Sequence, residues 1–215
     1  MSHLHNPFRY DYVGSFLRPE NLKQARRDFD EGKIDYAKLK EVEEQAITDL
    51  ITKVKSLGYH VITDGEFRRA TWHLDFMWGL DGVGHVKTKT GLPFHGEAAM
   101  IDDTYLVGKI GLSKEHPFVE HFRFVKQFED ENTVAKQTIP APAQVLAQFT
   151  MPFNREATEK FYDSDDQLID DLVTAYKKVI DDLYAAGCRN VQLDDCTWGM
   201  LADKTAPLAY GTTVE

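Results

Sequence analysis

Four charged side chains fall within the six residues Asp64-Gly-Glu-Phe-Arg-Arg69, directly after Val61-Ile-Thr63. Carboxylates accept from ammonium and hydroxyl groups, and guanidinium groups hold carboxylates, so these residue types can build a small polar site. A solvated turn on the Asp-Gly pair fits the same residues. Gly14-Ser15 forms a second candidate: Gly14 permits close backbone approach to a ligand, and Ser15 offers an N–H and a hydroxyl. A plain strand-to-loop turn also explains Gly14. The third is Asp194-Asp195, where Val191-Gln-Leu ends in two carboxylates. Neighbouring strand residues point to opposite faces, so one of the two faces inward, and alternation with Gln192 selects Asp194. Cys188 and Cys196 make no Cys-x-x-Cys, which argues against a disulfide framework or zinc knuckle. Each could be a single metal ligand; a small buried Cys188 and a strand-end Cys196 are the simpler reading.

These groups need elements to position them. Leu39, Val42, Ala46, Leu50, Val54 and Leu57 recur at helical spacing, with Asp35 as N-cap and Gly58 past the end, predicting a helix over 36–57. A strand over 60–64 follows. Before them, Tyr12–Phe16 reads as a first strand and Pro19 opens a helix running to about Glu31. Trp72, His73, Phe76 and Trp78 suit either core or a pocket wall. Short alternations over 82–111 read as a hairpin-rich insertion leading into a third strand. A helix over 117–129 is followed by a strand from Val134, stopped by Pro140-Ala-Pro142. A helix then starts near Ala143, and Met151–Arg155 reads as a loop. Leu168, Leu172, Ala175, Tyr176, Val179 and Leu183 mark a helix over 165–186, capped by Gly187 ahead of the strand from Val191. Helices alternating with short apolar strands argue a parallel α/β sheet. Ligands bind at the carboxyl ends of such strands, so Gly14, Ser15, Asp64, Glu66 and Asp194 are expected at one rim.

The 215 residues suffice for one sizeable core, and 42% hydrophobic with 12% aromatic residues places the chain among globular proteins. A formal net charge of -10 argues against a nucleic-acid-binding face. No run reaches membrane-spanning length, and the first seven residues lack the apolar core of a signal peptide, so a cytoplasmic location is expected.

In order, Tyr12-Val-Gly-Ser-Phe-Leu-Arg-Pro19, Thr63-Asp-Gly-Glu-Phe-Arg-Arg69 and Ala185-Ala-Gly-Cys-Arg-Asn-Val-Gln-Leu-Asp-Asp195 resemble the cobalamin-independent methionine synthase family. The likeness is to its C-terminal catalytic barrel and that barrel's short stand-alone relatives, and runs from about residue 8 to about residue 200. It implies a (β/α)8 TIM-barrel type fold, with residues 1–215 as one incomplete domain of about five βα units and the hairpin insertion near 82–111. It also implies zinc-dependent methyl transfer, from a methyl-folate to a thiol such as homocysteine, in methionine biosynthesis. By motif, Gly14 and Ser15 would take the substrate carboxylate, while Glu66 and Asp194 would take its ammonium. None of the four makes or breaks bonds.

Two departures stand out. Asp194-Asp195-Cys196 replaces the family's usual Asp-Glu-Pro, and Pro140-Ala-Pro142 differs from its fourth-strand loop; both fit the stand-alone relatives. The family's zinc ligands, a His-x-Cys, a Glu and a further Cys, lie on later strands, and no His-x-Cys occurs here. The expectation is therefore that these residues supply neither catalytic nor metal-ligating groups and are inactive alone. They would pair with a second copy or with a missing C-terminal half. A non-catalytic amino-acid-binding or interaction module is the alternative, and a porphyrin-decarboxylase-like enzyme is a third reading that the motifs fit less well.

Overall fold

The long periodic stretches form helices, and the short β-branched runs form strands between them. A computed structural model describes residues 8, 10–86, 92–94, 97–99 and 103–202. In chain order the elements are α1 (Glu20–Asp30), α2 (Tyr36–Ser56), β1 (Val61–Ile62), α3 (Leu74–Met77), β2 (Asp81–Val86), β3 (Leu92–Phe94), β4 (Glu97–Ala99) and β5 (Asp103–Gly111). Then come α4 (Pro117–Lys126), β6 (Val134–Ala135), β7 (Gln137–Pro140), α5 (Pro142–Thr150), α6 (Pro152–Thr158), α7 (Asp165–Ala185), β8 (Val191–Asp194) and α8 (Thr197–Ala202). The fold is α/β, and the chain divides into two compact units.

The first unit comprises Met1–Trp72, Glu120–Thr138 and Ala186–Gln192. Asp35 caps α2 by accepting the Lys38 N–H at 2.8 Å, and Gly58 leaves the helix at φ +82. The buried stripe of α2 is Leu39, Glu43, Ala46, Ile47, Ile51 and Val54. It lies partly to one side of the expected stripe: Val42 and Leu50 are half-buried and Leu57 is 64% exposed. α1 packs on α2 through Leu22 and Ala25. β1 and β6 pair in parallel, Val61 with Val134 and Ile62 with Ala135, the signature of a βαβ architecture.

The expected first strand carries no ladder. Residues 11–18 alternate in exposure as a strand would, with Val13 74% and Leu17 97% exposed. Gly14, at φ +80, takes the backbone out of strand geometry, and the Phe16 N–H donates to the Gly65 C=O at 3.1 Å.

The second unit comprises His73–Val119, Ile139–Ala185 and Leu193–Glu215. The hairpin region takes shape as β2 paired antiparallel with β5, and β3 with β4; positions 87–91, 95–96 and 100–102 lie outside the described residues. β5 is thus the partner of β2 and not a third barrel strand. All six expected core positions of α7 are buried. Phe76 is fully buried against His116, Phe118 and Tyr176, so it is core; Trp78 is half-buried and stacks on His85 at 4.4 Å. His116 Nδ1 accepts the Phe118 N–H, which leaves Nε2 to donate to the Phe76 C=O at 2.9 Å and fixes a neutral imidazole.

Met151–Arg155, expected as a loop, lies largely in helix. Pro152 occupies the first turn of α6, where its fixed φ helps and its missing N–H costs nothing. β7 pairs with β8, so the ladders among the described residues are two-stranded. That pairing appears in the first unit as Gln137 N–H to Asn190 C=O, 3.0 Å, and in the second as Ala141 N–H to Asp194 C=O, 2.8 Å. No helix among the described residues is long and apolar enough to cross a membrane.

Candidate functional site

The turn after β1 is built by side chains that replace missing backbone partners. Thr63 Oγ1 accepts the Gly65 N–H at 3.0 Å, and Asp64 Oδ1 accepts the Glu66 N–H at 2.9 Å. Gly65 sits at φ +62 and Glu66 at φ +60, the one non-glycine residue with positive φ among the described residues. For a side chain of that size this conformation costs roughly 1–2 kcal/mol, and such strain collects at functional sites. Space also favours Gly65: an added Cβ would stand 2.3 Å from Leu50 Cδ2, so the end of that side chain would have to move.

Two arginines hold the turn. Arg18 donates through Nη2 to the carbonyls of Glu66 and Arg69, both at 2.8 Å. Arg69, 1% exposed, donates to the Trp72 carbonyl at 3.1 Å and to the Thr138 carbonyl and hydroxyl at 2.7 and 2.8 Å. Its Nη1 also faces Glu66 Oε1 at 3.7 Å, a buried ion pair. The Glu66 carboxylate, 3% exposed, receives the Ser15 hydroxyl on Oε2 at 2.5 Å. Asp64 Oδ2 is buried without a hydrogen-bond partner, a carboxylate oxygen whose accepting capacity is unspent.

A wider ring of charge supports this centre. Glu43 is buried on α2 between Arg26 Nη2 at 3.0 Å and Arg68 Nη1 at 3.4 Å; burial raises its carboxyl pKa, outweighing both guanidinium groups. Arg68 also lies over the Phe124 ring at 5.1 Å. Burial pulls the His121 imidazole down to about 4, against the opposing field of Asp64. Lys136 Nζ reaches Asp11 Oδ2 at 2.7 Å, the Tyr12 carbonyl at 2.8 Å and Gln192 Oε1 at 2.8 Å. The bonds to Asp11 and Tyr12 fix the segment carrying Gly14 and Ser15, and the third ties Lys136 to Gln192. The Tyr12 hydroxyl donates to the Val61 carbonyl at 3.0 Å, and burial pushes its pKa to about 12.

Of the expected site residues, Gly14, Ser15 and Glu66 lie in the first unit, with Ser15 and Glu66 in direct contact. Asp194 ends β8 in the second unit, half-buried with Gln192 half-buried two residues earlier, while Val191 and Leu193 are 36% and 50% exposed. Sequence reading missed Arg18, Glu43 and Lys136. A signal existed for Glu43, a charge inside the helical stripe between Leu39 and Ala46, and for Arg18, which stands inside the first motif; Lys136 carried none.

Residues 10–212 match the family described as "Cobalamin-independent synthase, Catalytic domain". The chain belongs to the cobalamin-independent methionine synthase family. It is 39% identical over 212 residues to YxjG of Bacillus subtilis, covering 96% of this chain and 54% of that protein. It is 37% identical over 194 residues to YxjH of the same organism, covering 90% and 49%; both relatives are described as uncharacterized. A crystal structure from Listeria monocytogenes, described as a putative vitamin-B12 independent methionine synthase, matches at 35% identity and TM-score 0.72, over 95% of this chain and 58% of that one. The chain thus spans about half the length of the curated relatives it matches.

The zinc of this family needs several His, Cys, Asp or Glu side chains together, and no three of them stand in such a group among the described residues. Cys188 is buried with its thiol toward the Asn190 carbonyl, while Cys196 is exposed and donates to Gln144 Oε1 at 2.8 Å. His3, His5 and His95 lie outside the described residues. The described residues of this chain do not fit zinc.

Proposed function

We propose that this chain supplies the amino-acid-holding part of a methyl-transferring site whose acceptor is a thiol such as homocysteine, with a methyl-folate as donor. The observation that carries the reading is the Glu66 carboxylate, buried on a strained turn and held there by Ser15, Arg18 and Arg69. A carboxylate fixed at the expense of backbone strain suits a ligand cation, and an α-ammonium is the cation such an acceptor takes. Asp64 Oδ2 adds an acceptor two residues away. Family membership and the likeness to the Listeria chain supply the methyl-transfer class.

In this reading Glu66 meets the ammonium, and the Gly14-Ser15 step meets the carboxylate, as the motifs imply. Beside Gly14 no heavy atom lies within 4 Å of where a Cβ would stand, so the backbone can be approached there. The chain's own residues bind and orient the acceptor. Association with a second copy, or with the region present in the longer relatives, belongs to the same proposal.

Calorimetric titration of the chain with homocysteine tests it. Saturable binding that Glu66→Gln weakens tenfold or more is expected, since a charge-assisted contact is worth about 1.5–3 kcal/mol. Binding indifferent to Glu66→Gln would overturn the assignment. Binding without methyl transfer from a methyl-folate, with the region present in the longer relatives supplied, would favour the non-catalytic module.

A further inference from the structure

Ser15 carries one hydroxyl hydrogen, and a hydroxyl that donates to one carboxylate cannot donate to another. In this chain that hydrogen goes to Glu66 Oε2 at 2.5 Å. Toward a ligand carboxylate the same hydroxyl presents lone pairs, which repel it. We propose that Ser15 acts on Glu66 and not on the substrate: it is a positioning residue that aims the Glu66 carboxylate at the ligand ammonium. The ligand carboxylate is then left to the backbone N–H groups of the Gly14-Ser15 step. This assignment rests on the amino-acid-thiol reading above and changes which ligand group Ser15 governs.

The surrounding geometry supports the division. A glutamate side chain has three torsions, and the backbone of Glu66 is already fixed by Asp64 Oδ1 on its N–H and Arg18 on its C=O. What remains free is the rotation of the carboxylate. Arg69 Nη1, at 3.7 Å from Oε1, supplies attraction but lies beyond hydrogen-bond distance. The Ser15 bond is therefore the short directional contact that sets the carboxylate plane. Each carboxylate oxygen has two lone-pair sites, so that bond leaves accepting capacity for an ammonium. The open side of Gly14 and the committed hydroxyl of Ser15 thus give one backbone step two separate duties.

Three ligands separate the duties: homocysteine, 3-aminopropane-1-thiol without the carboxylate, and 4-sulfanylbutanoate without the ammonium. By calorimetry, Ser15→Ala is expected to weaken homocysteine and the aminothiol alike, by about ten- to 150-fold, the loss of one hydrogen bond to a charged group. It should leave 4-sulfanylbutanoate unchanged. Gly14→Ala should show the opposite selectivity, and Ser15→Thr, which keeps the hydroxyl, should restore aminothiol binding. Loss confined to the two carboxylate-bearing ligands in Ser15→Ala overturns the proposal. A double-mutant cycle of Ser15→Ala with Glu66→Gln, read by urea unfolding without ligand, is an independent measure. Non-additive stabilities support the Ser15–Glu66 coupling, and strictly additive ones refute it whatever the ligands do. Coupling without binding of any of the three would refute the amino-acid-thiol reading, and with it the aiming role, leaving Ser15 as a structural partner of Glu66.

Discussion

Replacing Gly65 by alanine separates the two reasons a glycine stands there, and Gly14 is its control. Both residues have positive φ, +62 and +80, but a Cβ at Gly14 meets nothing within 4 Å. A left-handed alanine costs roughly 1–2 kcal/mol, and the reduced freedom of the unfolded chain returns about 0.4–1 kcal/mol. Gly14→Ala should therefore lose about 1 kcal/mol. At Gly65 the new Cβ would stand 2.3 Å from Leu50 Cδ2, so the end of that half-buried leucine must move. Overpacking of this kind costs about 1–3 kcal/mol, bringing Gly65→Ala to a loss of about 2–4 kcal/mol. Urea unfolding of the two variants with a common m-value gives the comparison. A Gly65→Ala protein as stable as Gly14→Ala would refute the packing argument.

Other substitutions probe the surrounding groups. Arg69→Met strands Glu66 and three buried acceptors, at Trp72 and Thr138, and should destabilise by about 3–5 kcal/mol in the same unfolding assay. Burial lowers both His73 and His121 from 6.5 to about 4, so between those values the unfolded chain binds protons that the folded chain refuses. Their contribution is complete above about pH 6.5 and is lost as pH falls toward 4, and His121→Gln should flatten the stability curve in that window. Alkylation should label exposed Cys196, slowed because burial and Asp195 raise its thiol pKa; Cys188, buried, should react after denaturation.

The helices were the most legible part of the sequence. α7 was readable residue by residue, since six apolar positions at unbroken spacing leave one face to bury. α2 was readable in extent but not in rotation, because its apolar positions span two adjoining stripes and the buried one contains Glu43, which pairs with Arg26 and Arg68. α6 was hidden by Pro152, which marks a loop and a helix start equally well. At the site, the motifs named Ser15 and Glu66, while their direct bond could not be read because it joins residues 51 positions apart. The φ of Glu66 was equally invisible: the Asp-Gly pair announces a turn, but not that the residue after it shares the left-handed geometry.

Lys136 has a consequence for the order in which this region takes shape during synthesis. Its ammonium joins Asp11 and Tyr12, more than 120 positions earlier, to Gln192, 56 positions later. A chain emerging from the ribosome can close the Asp64–Arg69 turn long before those three bonds exist. The segment bearing Gly14 and Ser15 can be held early, through Ser15, Phe16 and Arg18 on that turn, but gains its ties at Asp11 and Tyr12 only after Lys136 is made, so until then a chaperone or protease meets its leading end less firmly tied.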